Sequence, residues 1–347
     1  MAKKKQEKEK QEKKEDEIYK EMAMMGEFKV IDAHMHAGFE KKGIKDRPGV
    51  SQGLWLTREG MMSKEAISIR KALGDPNPFR PLKSLDEMPE FSVDTWIKIM
   101  DASNVEMAVI MGMDTTTDPP YNFPWYVPME YIKEEFLDAH PDRFVAIAGI
   151  NLRAEREALL DQVTKAKELG FLGVKVHTPS IGYPNDRERC YPVYEKCVEL
   201  GLHVEIHTGV EAMPGTRAKY QDPVYVDDVA VDFPKLKIVQ LHCGIMNNPR
   251  VALWNVIRHP NVYTDISIPH PTLMEFSYYH NLDMLRFIET VVPHKVFFGS
   301  DFPLLVSIYR ECIDHIKLLP LSPTFKRALL RENAYKFFNL EALRKKH

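Results

Sequence analysis

Two histidines one residue apart, His34 and His36 in VIDAHMHAG, close a short apolar run. Residues two apart in a strand share a face, so both imidazoles can grip one ion while Met35 points away. Four further apolar runs end in the same manner, GVKVHTP at His177, VEIHTG at His207, IVQLHCG at His242 and VFFGSDFP at Asp301. Packing alone favours apolar residues at such positions, so ionisable endings on five separate runs point to one shared site. His34, His36, His207 and Asp301 make a mixed imidazole and carboxylate set that suits one divalent ion, Zn²⁺ first and Mn²⁺ second, with room for water. His242 is the candidate for proton transfer, because an unperturbed imidazole titrates near neutral pH, and Asp301 is its partner in that role. His177 and Lys175 share one face of their strand and are further candidates for metal or substrate contact.

These side chains meet only if the strands that carry them lie side by side. From Phe28 onward, short β-branched runs alternate with longer segments of helical periodicity, the pattern of βαβ units. Strands are predicted over Lys29–Ala33, Met107–Met113, Phe144–Ile150, Gly173–His177, His203–His207, Lys237–His242, Asn261–Ser267 and Val296–Asp301. From the second onward their starts are 24 to 37 residues apart, the length of a strand, a helix and two loops. Helices are expected at SVDTWIKIMDAS, which opens on a serine cap, and at RAEREALLDQVTKAKELG and DRERCYPVYEKCVELG, which close on glycine. Eight parallel units close most economically into a (β/α)₈ TIM barrel of the α/β class, since an open sheet would leave two edges to protect. An open doubly wound sheet is the alternative. A parallel barrel opens its active site at the C-terminal ends of its strands, where the ionisable residues fall.

The first interval is longer, and residues 38–91, rich in Pro, Gly, Arg and Met, read as a lid-like insertion in a single domain spanning 28–347. Residues 1–27 read as a charged extension, helical or disordered: eight lysines and seven acids through residue 21 cannot bury a core. The formal balance of −3 gives no bulk attraction to nucleic acid or anionic membrane, so a small-molecule substrate is the expected partner, with a homodimer as an option. Cys190, Cys197, Cys243 and Cys312 form no Cys-x-x-Cys pair and read as reduced thiols. With no long apolar run and no signal-like N-terminus, a cytoplasmic protein is expected.

From about Phe28 to Leu340 the chain resembles the amidohydrolase superfamily, in the branch that includes aminocarboxymuconate semialdehyde decarboxylase. The resemblance is carried by IDAHMH, GFLGVKVHTP, YPNDRERCYPVYEKCVELGLHVEIHTG, DDVAVDFPKLKIVQLHCG, NVYTDIS, FFGSDFP and RENAYKFFNL. It implies a metal-dependent barrel enzyme in which His34, His36, His207 and Asp301 bind one ion, often zinc, and His242 is catalytic. Related barrels hold two ions bridged by a modified lysine on strand four, which would give Lys175 that role. The branch implies hydrolysis of a carbonyl-type substrate as the leading reaction. Non-oxidative decarboxylation of an unsaturated or aromatic acid is the alternative, and a ligand-binding barrel without catalysis is the third reading. A decarboxylase needs a cation for the carboxylate, and Arg47, Arg58, Arg80, Arg187, Arg189 and Arg217 are placed near the expected mouth. Trp55, Tyr121, Phe123, Trp125, Tyr183 and Tyr220 suit an aromatic or apolar acid.

Overall fold

The apolar runs form eight strands: β1 (Val30–His36), β2 (Val105–Met111), β3 (Phe144–Gly149), β4 (Gly173–Val176), β5 (His203–His207), β6 (Ile238–Leu241), β7 (Val262–Ser267) and β8 (Val296–Gly299). The computed structural model describes residues 28–38, 92–115, 125–209, 216–269, 281–303 and 308–344, with Glu40, Ile67, Lys71, residues 75–77 and Glu211. The extension 1–27, most of the 38–91 insertion, and with them Trp55, Arg47, Arg58 and Arg80, lie outside the described residues, as do Tyr121 and Phe123.

All strand pairs are parallel and follow chain order from β1 to β8. β8 then returns to β1: Met35 bridges Phe302 in parallel, the His36 N–H donates to Phe302 O at 2.7 Å, and the Asp301 N–H donates to His34 O at 2.9 Å. The barrel is closed by the segments that carry the candidate ligands. Helices α1 (Val93–Ala102), α2 (Met129–Ile132), α3 (Arg156–Glu168), α4 (Cys190–Leu200), α5 (Val224–Asp232), α6 (Pro249–Arg258), α7 (Asn281–Val291) and α8 (Tyr309–Leu318) lie between and after the strands. The three helices expected from sequence are α1, α3 and α4. Ser92 caps α1 in a reciprocal box with Thr95, and Gly201 ends α4 at φ 67°, a left-handed turn that glycine adopts without strain.

Side chains alternate along each strand between two cores. Val174, Val204, Ile238, Val262 and Phe298 face the helices, whereas Ile31, Met107, Val145, Val239 and Phe297 fill the barrel. Ala334, Phe337, Phe338 and Leu340 join the interior cluster and close it from the strands' N-terminal side. All four cysteines are buried and free. Among the described residues no helix is long and apolar enough to cross a membrane.

Candidate metal centre and active site

Strand alternation by itself would misplace the first ligand. Ile31 and Ala33 point into the barrel, so strict alternation would turn His34 outward with Asp32. The pairing of β1 with β2 slips between Asp32 and Met35, and this bulge shifts the alternation by one residue. His34 and His36 then enter the mouth, their ring centroids 5.1 Å apart, and Met35 joins the outer core. Asp32 remains on the outer side and holds the bulge, with Oδ1 accepting from the His34 and Ser300 N–H groups at 3.1 and 3.0 Å. Gly299 gives His34 its space, since a Cβ there would lie 2.7 Å from the His34 Cβ.

His242 meets the same difficulty and solves it differently. Val239 and Leu241 point inward, so the next residue of a regular strand would face the helices. The ladder of β6 instead stops at Leu241, and His242 adopts φ 63°, which brings its ring to 4.7 Å from that of His34 and 4.6 Å from that of His207. Asp301 is likewise left-handed at φ 57°, two residues beyond β8. The strand ends predicted at His242, His177 and Asp301 are corrected accordingly, because these residues begin turns. The strand predicted to end at Ala33 runs on to His36. A left-handed non-glycine residue costs roughly 1–2 kcal/mol, and such strain concentrates at functional sites.

His34 Nε2, His36 Nε2 and Asp301 Oδ1 converge at one point: the two imidazole nitrogens are 3.2 Å apart and lie 3.3 and 3.2 Å from the carboxylate oxygen. Donors held about 2.0–2.2 Å from a common ion at tetrahedral or octahedral angles sit roughly 2.9–3.5 Å from one another. The chemistry of the atoms agrees with this spacing. His34 Nδ1 lies 3.0 Å from Asp265 Oδ2, so that nitrogen carries the hydrogen and Nε2 presents a lone pair. A lone pair and a carboxylate oxygen brought together in this way can share a cation. His242 also offers a ligand atom, and those of His34, His242 and Asp301 lie within 4.8 Å of one another. His36 Nδ1 and His207 Nε2 are buried without a hydrogen-bond partner among the described residues. The site fits a divalent ion.

Burial, reinforced by Lys175 and the neighbouring imidazoles, holds His36, His207 and His242 well below the usual histidine pKa. Burial also acts on His34, but Asp265 and Asp301 outweigh it and raise its pKa. Lys175 is lowered by burial against the pull of Asp301, Glu205, Glu211 and Asp265, and burial raises Asp32 to about 6.

The other residues singled out from sequence divide into those at the site and those away from it. Lys175 Nζ lies 3.2 Å from His36 Nε2. His177 stands beside His207, ring centroids 5.2 Å apart, with Nδ1 at 2.5 Å from Ser180 Oγ and Nε2 at 3.3 Å from Glu211 Oε2. Trp125 packs 5.0 Å from the His36 ring. Tyr183 and Tyr220 form a T-shaped pair, and Arg187 is an exposed surface cation on Asp232.

The amidohydrolase family model matches residues 31–340 of this chain. The chain belongs to the amidohydrolase family. This amidohydrolase is 23% identical to the 2-amino-3-carboxymuconate-6-semialdehyde decarboxylase of Dictyostelium discoideum, over 90% of this chain and 92% of that protein. It is 20% identical to the 2-keto-4-carboxy-3-hexenedioate hydratase of a Sphingobium species, over 76% of this chain and 87% of that protein. It is also similar to the solved 5-carboxyvanillate decarboxylase of Novosphingobium aromaticivorans, complexed with manganese and 4-hydroxy-3-methoxy-5-nitrobenzoic acid. That likeness has a TM-score of 0.59 at 15% identity and covers 90% of this chain and 96% of the other.

Several site residues of this amidohydrolase carry no clear signal in the sequence. Asp265 contacts both His34 and the His242 backbone, and in the chain it is marked only as an acid within NVYTDIS, with no role assigned to it. Asp32 is masked by the His-x-His beside it, and Ser180 and Glu211 by their positions in loops.

Proposed function

We propose that this amidohydrolase is a divalent-metal-dependent decarboxylase of a small unsaturated or aromatic carboxylic acid. One observation carries the reading: Lys175, buried at the mouth, has His36 Nε2 and Met111 Sδ as its hydrogen-bond partners, and neither is an anion. His36 Nε2 cannot serve both the ammonium and an ion, so metal binding frees the Lys175 N–H groups beside the site. A buried ammonium calls for an anionic partner, and a substrate carboxylate supplies one. The decarboxylase and hydratase relatives support a carboxylated substrate, and the manganese of the solved relative supports a divalent ion, which His34, His36, His207 and Asp301 would hold here.

When bound, the ion supplies a Lewis acid that orients the substrate and stabilises developing negative charge. Lys175 binds the carboxylate and Trp125 presents an aromatic wall. His242, neutral at rest, relays a proton from solvent: the carbon–carbon bond breaks, CO₂ leaves, the electron pair remains on the substrate carbon, and that carbon takes the relayed proton.

Hydrolysis is the second reading, favoured by the His242 ring lying 4.7 Å from that of His34 at the converging donors, where it can take a proton from water. The deciding experiment incubates metal-loaded enzyme with a panel of unsaturated and aromatic acids and, separately, with carboxylated esters and lactones. CO₂ release that stops on chelation supports decarboxylation. Ester or lactone cleavage with no CO₂ from any acid replaces it with hydrolysis.

A further inference from the structure

We infer that Asp265 is a positioning residue that fixes two functional histidines at once from a third strand, one carboxylate oxygen setting the ring of His34 and the other anchoring the backbone of His242. The inference deepens the proposed function and rests on it only for the assignment of His34 as a ligand.

Asp265 is buried inside the barrel on β7, between β6, which leads into His242, and β8, which leads into Asp301 and pairs onward with the His34 strand. Its Oδ2 lies 3.0 Å from His34 Nδ1. Its Oδ1 accepts the His242 N–H at 2.9 Å and the hydroxyl of Ser267. Ser267 Oγ also lies 3.3 Å from His34 Nδ1, so the pair brackets that edge of the ring.

Two consequences follow from the chemistry of a carboxylate, which accepts and does not donate. His34 must hold its hydrogen on Nδ1, which leaves Nε2 as a lone pair aimed at His36 and Asp301. The His242 N–H is tied down where its backbone is left-handed, so the same side chain holds the turn that brings the His242 ring back over the mouth. Outer carboxylates that orient a ligating imidazole typically change metal affinity or activity about 10–100-fold when replaced. Here one carboxylate serves the ligand and the proton-transferring group together.

The test uses Asp265→Asn, which keeps the size of the side chain. The His242 N–H can only donate, so it claims the amide oxygen, and the amide NH₂ is left facing His34 Nδ1. That drives His34 to the tautomer with its hydrogen on Nε2, pointing at Asp301. Titration with Co²⁺ against a chromogenic chelator should show about 10–100-fold weaker binding, with the metal-free variant melting close to metal-free wild type. Wild-type Co²⁺ affinity in a folded Asp265→Asn protein would overturn the inference. Ser267→Ala, which keeps the carboxylate, should lose less affinity than Asp265→Asn, and an equal or larger loss would also overturn it.

A measurement on the unaltered protein guards against a variant that does not fold. In nitrogen-15 histidine spectra of the metal-free wild type at alkaline pH, the signal absent from His34→Gln should show hydrogen on Nδ1. Hydrogen on Nε2 would overturn the inference. An enzyme that binds Co²⁺ yet releases no CO₂ from any acid defeats the decarboxylase reading and leaves this one intact.

Discussion

At the N-terminal end of the barrel, His203 Nε2 meets Glu205 Oε1 at 3.0 Å, under the rings of Phe337 and Phe338. At the other end, His34, His36 and Asp301 meet at 3.2–3.3 Å. The histidines of both clusters are buried, both clusters place an imidazole by a carboxylate, and His203, Glu205 and His207 even belong to one face of β5. In the lower pair an imidazole N–H can meet a carboxylate acceptor directly, at Glu205 Oε1. In the upper set two imidazole nitrogens of β1 and a carboxylate oxygen from just beyond β8 converge on one point, on a backbone that is bulged at β1 and left-handed at His242 and Asp301. A buried ionisable residue therefore signals function here by converging with others from separate strands, on a backbone bent to bring them together.

The contrast predicts that substitutions at the two ends fail differently. The largest effect is expected from His207→Ala, which should leave purified protein with little bound metal and no measurable turnover. Elemental analysis per chain checks it, and a full complement of metal would remove His207 from the ligand set. His242→Ala should retain most of the metal while turnover falls about 10²–10⁴-fold, equivalent to roughly 3–5 kcal/mol of barrier. Comparable metal loss in both variants would make His242 a ligand first.

At the closed end, Phe337→Ala should cost about 3–5 kcal/mol of stability through the cavity left beneath Tyr263, Phe297 and His203. Denaturant unfolding reads that loss, and metal bound per folded chain should not change. If metal is lost with it, the two ends are not independent. The smallest effect is expected from Gly299→Ala, whose new methyl presses on the His34 Cβ: about 1–3 kcal/mol of stability, together with weaker metal binding. Stability lost without any change in metal affinity would mean that His34 does not depend on that space.

Much of the site is legible in the sequence. His34, His36, His207, His242 and Asp301 stand out because apolar runs ending in ionisable residues are unusual, and all five lie at one end of the barrel. His177 and Lys175, open in the sequence between metal and substrate contact, stand at the same mouth beside His207 and His36. Asp265 is not legible in this way, because its role depends on partners 231 and 23 residues away in the chain. The expectation of hydrolysis rests on the family resemblance, whereas the Lys175 contact that favours a carboxylate partner is a distance between strands β1 and β4.

By itself the sequence determined the number of strands and the chemical types of the donors, since hydrophobic periodicity and residue identity are local properties. Only the tertiary structure decided which way the donors point. Two-residue alternation cannot say that His34 enters the mouth after Ile31 and Ala33 have done so, nor that His242 follows Leu241 inward. Those orientations come from a slip in pairing with β2, from left-handed turns, and from the absent Cβ of Gly299 on β8, all of which exist only once neighbouring strands are in contact.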